Sequence, residues 1–577
     1  MALKILMVAS EGTPFIKTGG LADVVGSLPG ALAARGADVR VVLPRYAAID
    51  AGRFPVRTLA QIPLAFDGDW VSAEIQAVSD TAGTGADRAT VRATVDDAAD
   101  DSTSTALPVA LSNATGRVAT YLIEAPRYFR RPQCYSYDDD LLRFGFFCRA
   151  ALEVPRVLEW KPDIIHCHDW HAGLLPAYLQ TLGATEPSLR GVKTVFTIHN
   201  LAYQGIAPKE FLPRLGLDWS LFTARGLEFY DQINALKSGL VFSDALTAVS
   251  PQYAREIQTS AYGEGLEGML QERVAQSRVA QSRVAQSRVA QSRVAQSPDV
   301  LHGDVLRGIV NGINYADWNP RHDPHLAAPY GPDDVSGKAI CKRDLLRRVG
   351  LADDSSGLAD DGSGLPGRVG LPHGSGDSPD LPVIGMVSRL SWQKGLDLVA
   401  QALQPMLELG CHFVLLGTGD ERYLRIFRGL GRKFPRATAM IVGEFNDDLA
   451  HHIYAGSDFF LMPSRYEPCG LGQMIALAYG TVPIVRATGG LADTVHEFDA
   501  RNGNGNGFVF HDFSAPALLE AVKRGFGCYH TSAWPQLAQN ALRCDFSWDA
   551  SAARYMELFH EVAGAGLEDG SKEEVIL

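Results

Sequence analysis

Three stretches of the chain carry residue types suited to holding phosphate. Lys17-Thr18-Gly19-Gly20-Leu21-Ala22-Asp23 follows an apolar run, Leu3 to Ala9, and opens an apolar-periodic segment that reaches Ala34. The implied order is strand, glycine turn, helix. Adjacent glycines let the backbone approach a ligand closely, the free N–H groups of a helix start favour an anion, and Lys17 adds a positive charge. Thr488-Gly489-Gly490-Leu491-Ala492-Asp493 repeats the wording after a second apolar run, Thr481 to Val485. Between them, Arg389 and Lys394 share one loop ahead of a helix, a pairing that suits a diphosphate: Arg binds bidentately and Lys acts as a point charge. Tight packing explains a single Gly-Gly turn, and solubility explains surface cations. Two matched turns in one chain favour a ligand.

Carboxylates and imidazoles gather at the ends of further apolar runs. Asp163 to Cys167 ends in His168-Asp169-Trp170-His171, and Lys193 to Ile198 ends in His199-Asn200-Leu201-Ala202-Tyr203-Gln204-Gly205. Parallel sheets bind ligands outside the carboxyl ends of their strands, so Asp169 and His199 read as site residues rather than packing. Ser464-Arg465-Tyr466-Glu467-Pro468-Cys469-Gly470 precedes a helix predicted over Gln473 to Tyr479. Glu467, read at that helix start, either complements the dipole or holds sugar hydroxyls. His166-Cys167-His168 has the look of a metal site, but no further ligand accompanies it, and no metal is expected. Arg127, Arg130 and Arg131 are interleaved with aromatics from Tyr128 to Tyr137, as in a solvated edge loop or a sugar-stacking face. Asp138-Asp139-Asp140 reads as the cap of an amphipathic helix over Leu141 to Leu158.

Positioning these groups takes two large cores. At 577 residues the chain exceeds one core, and 46% hydrophobic content supplies two sheets covered by helices. A formal charge of −13 argues against nucleic acid as a partner. No run is long enough for a membrane span, and Glu11 cuts short the first apolar run, which therefore lacks the layout of a signal peptide. The eight cysteines show no C-x-x-C spacing, as expected of reduced thiols in the cytoplasm. Residues 79–117 and 352–382 read as surface insertions from their Gly, Ser, Asp and Thr content. Arg-Val-Ala-Gln-Ser occurs five times over 273–297. Five residues do not match the helical turn, so the valines drift around any helix, and a solvent-exposed tandem expansion is expected; a basic arm that docks an anionic partner is the alternative.

With these motifs aligned, the chain resembles bacterial glycogen synthase and plant starch synthase, retaining glucosyltransferases. The matching segments are Lys17–Gly26, His166–Leu175, His199–Gly205, Asn311–Asn314, Arg389–Gly395, Ser464–Leu471 and Thr488–Asp493. The resemblance implies an α/β fold of two Rossmann-like domains facing a deep cleft, the GT-B type. Their expected extents are 1–310 for the N-terminal starch-synthase catalytic domain and 311–547 for the nucleotide-sugar-binding domain. Residues 548–577 form a closing helix and tail that return to the first. It also implies transfer of glucose from ADP-glucose to the nonreducing-end 4-hydroxyl of glycogen or another α-1,4-glucan, without a cofactor. By matching motif, Lys17, Gly19, Gly20 and Asp23 resemble the phosphate and sugar contacts, and Arg389 and Lys394 the diphosphate clamp. Asp169 and His199 resemble the residues beside the transferred glucose, and Glu467, Cys469 and Gly470 the sugar-holding turn. Asn311, Thr488, Gly489 and Gly490 join the substrate contacts, and Tyr135 matches an aromatic near the nucleotide.

Rival readings differ in the residues they need. A glycoside hydrolase would pair Asp169 with Glu467 but has no use for Arg389 and Lys394. A glucan phosphorylase needs a pyridoxal phosphate lysine, for which no segment stands out. A UDP-glucose enzyme of the same fold and an inactive glucan-binding scaffold complete the alternatives. Oligomeric state is not legible. Deleting three of the five repeats should leave activity intact, because loops accept insertions at little cost; a large loss in a turnover assay would identify a docking arm.

Overall fold

The computed structural model describes residues 2–79, 118–183, 186–290, 304–351, 381–444 and 446–564. Most of the two expected insertions, 80–117 and 352–380, therefore lies outside the described residues. The chain divides into two compact units, Met1–Gly312 with Ser547–Leu577, and Ile313–Phe546.

The first unit holds twelve described strands. They are β1 (Lys4–Val8), β2 (Asp38–Pro44), β3 (Val56–Phe66), β4 (Asp69–Val78), β5 (Ala119–Glu124), β6 (Ile164–His168), β7 (Lys193–Ile198), β8 (Ile206–Pro208), β9 (Glu228–Phe229), β10 (Gln232–Asn234), β11 (Ala245–Ala248) and β12 (Leu306–Gly308). Nine make one sheet in the order β12-β11-β7-β6-β1-β2-β5-β4-β3, and β8-β10-β9 make a small separate sheet. The large sheet is parallel from β12 to β5, with β3 and β4 added antiparallel. Continuous apolar runs explain the parallel part: Ile5, Leu6, Met7 and Val8 have no exposed surface, as in a strand covered on both faces. Strand order reverses between β1 and β6, so the loops after those strands open a crevice at the carboxyl end.

The second unit carries β13 (Val383–Val387), β14 (His412–Gly417), β15 (Thr438–Val442), β16 (Phe459–Met462), β17 (Val482–Arg486) and β18 (Phe508–Phe510). Its order, β15-β14-β13-β16-β17-β18, is parallel throughout and reverses between β13 and β16. Both units are thus doubly wound Rossmann-like folds.

Trp548–Gly564, the last described helix, packs on the first unit against the helix Gly20–Ala34 and strands β6 and β7. Its Tyr555 and Phe559 rings lie 5.4 and 5.3 Å from the His166 ring. Ser551 Oγ donates to Val310 O at 2.6 Å, and Arg307 pairs with Glu561. The helix completes the covering of β6, whose five residues are all buried.

Two local expectations are corrected. The helix expected over Leu141–Leu158 is two, Asp140–Ala151 and Val154–Val157, and the first is buried nearly all round rather than amphipathic. Asp139 makes no side-chain cap bond; it pairs with Arg131 at 2.6 Å, while Asp140 accepts from Ser136 N at 2.8 Å and pairs with the buried Arg143. The aspartates are consumed by the arginine-aromatic loop before them. In the repeats the valines drift around a helix as expected, but the first copy is packed rather than solvent-exposed. Residues 267–290 are helical, Val274 is buried at 6% exposure, and Val279 lies 49% exposed. A step of five residues rotates about 140° beyond a full turn, which carries successive valines off the packed face. The first copy is anchored, with Arg273 donating to Ser243 O at 2.6 Å, and Arg278 of the second pairs with Asp304 at 2.8 Å. Residues 291–297 lie outside the described residues.

Phe559→Ala should cost about 3–5 kcal/mol of stability, the usual range for deleting a buried ring. Denaturant unfolding followed by fluorescence checks this; a cost under about 1 kcal/mol would show that the closing helix contributes little to the first unit.

Candidate active site

In the first unit, the chain leaves β1 at Val8 and reaches the helix Gly20–Ala34 through a loop that holds a buried carboxylate, Glu11. Glu11 accepts hydrogen bonds from Thr18 N and from Thr18 Oγ1, the latter at 2.7 Å. Burial raises its pKa, and the Thr18 bonds oppose the rise. Lys17 is exposed and pairs with Asp23 at 2.7 Å. Gly19 and Gly20 form the helix start, so its N–H groups face the loop held by Glu11. Sequence reading missed Glu11, taking it only as the end of an apolar run. The rule applied at β6 and β7 would have found it, since it too follows a buried parallel strand.

Asp169 follows β6 and occupies a strained backbone position, φ 56° and ψ −179°, of a kind that clusters at functional sites. Its Oδ1 accepts from His199 N at 2.7 Å and Asn200 N at 3.4 Å, so the end of β7 fixes the carboxylate at the end of β6. Burial raises its pKa to about 7 against the lowering by those two N–H groups. His168 Nδ1 lies 2.9 Å from His199 Nε2, and His166 Nε2 lies 2.7 Å from Thr197 Oγ1. Burial lowers His166 and His199 to about 3, and His168 well below its ordinary value, so the three rings are neutral at pH 7. Tyr135 joins this region: its hydroxyl lies 2.9 Å from Ser10 Oγ and its ring 4.7 Å from the His171 ring. Asn311 lies apart, past β12 beside the closing helix, with Oδ1 buried and unbonded among the described residues.

In the second unit, β13 delivers Arg389 and β16 delivers the Ser464–Gly470 loop at the point where strand order reverses. The Arg389 guanidinium is exposed and has no hydrogen bond or ion pair among the described residues, so it is available to an anion. Lys394 is engaged: its Nζ bonds Glu467 Oε2 at 2.6 Å, and Ser464 Oγ donates to the same oxygen at 2.9 Å. Glu467 is corrected from a helix-start position. It lies in the loop five residues before the helix Gly472–Ala478, and its charge meets Lys394 rather than a dipole.

The Gly489-Gly490 turn is packed against this loop. A Cβ on Gly489 would come 1.9 Å from Glu467 O, and one on Gly490 would come 2.1 Å from Cys469 O. Gly490 N donates to Glu467 O at 3.1 Å, following the buried Thr488. Gly470 takes φ +76°, and Gln473 Nε2 donates to Cys469 O and Gly470 O at 3.0 and 2.9 Å. Glycine here serves close approach between two backbone loops, which sets the height of Glu467.

Among the described residues, one group has metal-ligand types in proximity, Asp323, His325 and His451. Asp323 Oδ2 accepts from Tyr479 OH at 2.5 Å and lies 2.7 Å from His451 Nδ1, and His325 Nδ1 lies 2.7 Å from Asp448 Oδ1. The two imidazoles stack at 4.4 Å and 27°. The Nδ1 atoms of both imidazoles are thus already engaged by carboxylates.

Comparison with known proteins accounts for both units. A family model described as starch synthase catalytic domain matches residues 4–272, and one described as glycosyl transferases group 1 matches residues 373–526. The chain is 40% identical to a glycogen synthase of Syntrophotalea carbinolica, covering 97% of this chain and 99% of that one. It is 41% identical to a glycogen synthase of Anaeromyxobacter dehalogenans over the same shares. Among solved structures, the catalytic domain of starch synthase IV from Arabidopsis thaliana, bound to ADP and acarbose, superposes with a TM-score of 0.77 at 31% identity. That match covers 98% of this chain and 100% of that one.

Asp169 titrates near 3.9 in an unfolded chain and at about 7 in the fold. A raised carboxyl contributes stability that is present below about pH 4 and lost as pH rises toward 7. His166 and His199, lowered to about 3, act oppositely and lose stability as pH falls. Asp169→Asn should therefore gain on the native chain as pH rises from 4 to 7, by about 4 kcal/mol if the whole shift is expressed. Urea unfolding of both chains across that range checks it; a difference independent of pH would overturn the reading of Asp169.

Proposed function

The chain belongs to the glycogen synthase family, and on that premise we propose that it transfers glucose from ADP-glucose to the nonreducing-end 4-hydroxyl of an α-1,4-glucan, releasing ADP. One observation carries the reading: at the strand-order reversal of its own parallel sheet each unit sets charged side chains, Glu11 and Asp169 in the first and Arg389 and Glu467 in the second, with a glycine-turn helix start after β1 and another after β17. The ADP and acarbose held by the similar starch synthase support a nucleotide-sugar donor and a glucan acceptor.

Departure of a nucleoside diphosphate builds negative charge on its phosphates. Arg389, unpaired among the described residues, is placed to take that charge bidentately, while Lys394 supplies a second cation whose own charge is partly met by Glu467. Lys17 would exchange Asp23 for phosphate as the donor binds. The glucosyl centre becomes oxocarbenium-like as the bond breaks, as in glycoside hydrolysis. Asp169 is held through Oδ1, which leaves Oδ2 for a sugar hydroxyl, and neutral His199 offers a hydrogen bond without a charge that would oppose the developing cation. The leaving phosphate takes the acceptor proton on the same face of the sugar, which retains configuration without a protein nucleophile. In this proposal no metal or other cofactor takes part. A cytoplasmic setting suits the eight free thiols, and no helix among the described residues is long and apolar enough to cross a membrane.

Labelled glucose incorporation into glycogen, with ADP-glucose and UDP-glucose compared for the native chain and Lys17→Ala, tests the proposal. ADP-glucose should be the donor, and the variant should lose about a hundredfold in kcat/KM, as when one charge-stabilising group is removed. Preference for UDP-glucose would revise the donor. No transfer from either would favour an inactive glucan-binding scaffold.

A further inference from the structure

The helix Glu421–Lys433, between β14 and β15, serves none of the roles assigned above, and its charge is at odds with the rest of the chain. It carries Arg422, Arg425, Arg428, Arg432 and Lys433 against one carboxylate, Glu421, in a protein of formal net charge −13. One side of it packs: Tyr423, Leu424 and Phe427 are buried in the core of the second unit. The other side is basic. Arg425, Arg428 and Arg432 follow one another by three and four residues, which keeps them on one face, and all three are exposed. The one ion pair made by these three or by Arg422 among the described residues joins Arg428 to Glu421, at 4.0 Å. Most of this charge therefore has no local counter-charge.

Solubility accounts for scattered cations, but this row has a fixed place. Asp420 N donates to Leu390 O, and Leu390 N donates to Thr418 O, both at 2.8 Å, so the turn that starts the helix is tied by backbone bonds to the residue after Arg389. Gly419 admits that approach, since a Cβ there would lie 2.5 Å from Leu390 O. Asp420 closes the turn by accepting from Arg422 N at 2.8 Å. Further along the helix, Arg428 Nη2 donates to Val442 O at 3.4 Å, and Val442 is the last residue of β15. Arg428 thus reaches the carboxyl end of β15, and Arg389 follows the carboxyl end of β13, with β14 between them on the same edge of the sheet. The arginine row borders the strand ends where Arg389 is unpaired and where Lys394 is partly neutralised by Glu467.

We propose that this arginine face is an electrostatic steering surface for the nucleotide-sugar donor, drawing its diphosphate toward Arg389 and Lys394 through the field of its charges rather than by contact. The ligand class follows from sign and place. A diphosphate diester carries a negative charge on each phosphate, and a chain of net charge −13 repels it from most directions of approach. A row of exposed guanidinium groups beside the receiving cations reverses that sign at one edge, which raises the local concentration of the anion and its rate of arrival. The glucan acceptor is neutral and gains nothing from such a field, so the effect is confined to the donor. The inference rests on the nucleoside-diphosphate reading of the function. It adds that capture of the donor is set by charges outside the reacting centre.

The test compares the native chain with Arg425→Gln/Arg432→Gln, Arg425→Glu/Arg432→Glu and Arg425→Lys/Arg432→Lys. The readouts are kcat and kcat/KM for ADP-glucose, KM for glycogen, and the calorimetric Kd of ADP. Each is taken at ionic strengths of about 0.01 and about 0.15 M, between which the screening length falls from about 30 to about 8 Å. At the lower value the Gln variant should lose about threefold and the Glu variant about tenfold in donor kcat/KM, with ADP bound correspondingly more weakly. At the higher value both should come within about twofold of the native chain. The kcat at saturating donor and the glycogen KM should be unchanged, and the Lys variant, which keeps the charge without the guanidinium, should match the native chain at both. Equal donor kcat/KM and equal ADP affinity in the native chain and the Glu variant at low ionic strength would overturn the inference while leaving glucosyl transfer standing. A loss that Lys does not restore, or that persists undiminished at the higher ionic strength, would overturn it too, because a field depends on charge and is screened. A chain that shows no transfer, yet whose ADP affinity follows charge and salt in this way, would keep the steering surface and refute the enzymatic reading.

Discussion

A parallel strand covered on both faces has no room for charge along its length. That constraint organises both units. β1, β13 and β16 run through the interior as apolar segments, β6 and β7 bury only neutral polar side chains (His166, His168, Thr194 and Thr197), and the groups proposed for chemistry follow where each strand stops: Glu11 after β1, Asp169 after β6, His199 after β7, Arg389 after β13 and Glu467 after β16. The reversal of strand order leaves a crevice at those ends that no crossover helix covers. The same architecture, repeated in one chain, thus produces two sets of functional groups by one physical rule.

Burial then decides what those groups are. Asp169 at the surface would be an ordinary carboxylate, but in its place it titrates at about 7, and the neighbouring imidazoles are held neutral. Burial is the larger effect in each case, and the His199 and Asn200 N–H groups only moderate it for Asp169. Glu467 is equally enclosed, yet Lys394 and Ser464 bond the same carboxylate oxygen, so its charge is compensated where it sits. The two enclosed acids thus meet different partners, Asp169 backbone amides and Glu467 an ammonium group.

The closing helix shows how distant sequence completes a local requirement. Trp548–Gly564 lies at the far end of the chain, yet its Tyr555 and Phe559 cover the face of β6 that bears His166. Without it, the strand that delivers Asp169 would expose the face that bears His166, which has no exposed surface in the fold. The pairing of Arg307 with Glu561 and of Arg35 with Asp549 at 2.7 Å fastens its two ends.

Much of this was legible from residue order alone. The apolar runs, the glycine turns and the polar residues at strand ends are local patterns, and they identify the doubly wound class, the strand positions and Asp169, His199 and Arg389 as strand-end groups. Glu11 was legible by the same rule, though its apolar neighbours concealed it. What the chain order could not express is partnership across the fold. That Glu467 meets Lys394, that Asp169 takes its bonds from the end of β7, that Asp139 serves Arg131 instead of a helix, and that Gly489 and Gly490 exist to admit the Glu467–Cys469 backbone all depend on atoms brought together from separate segments. Secondary structure and strand placement follow from interactions within a few residues, which a sequence displays directly; charge state and glycine necessity follow from burial and approach in three dimensions, which only the folded chain decides.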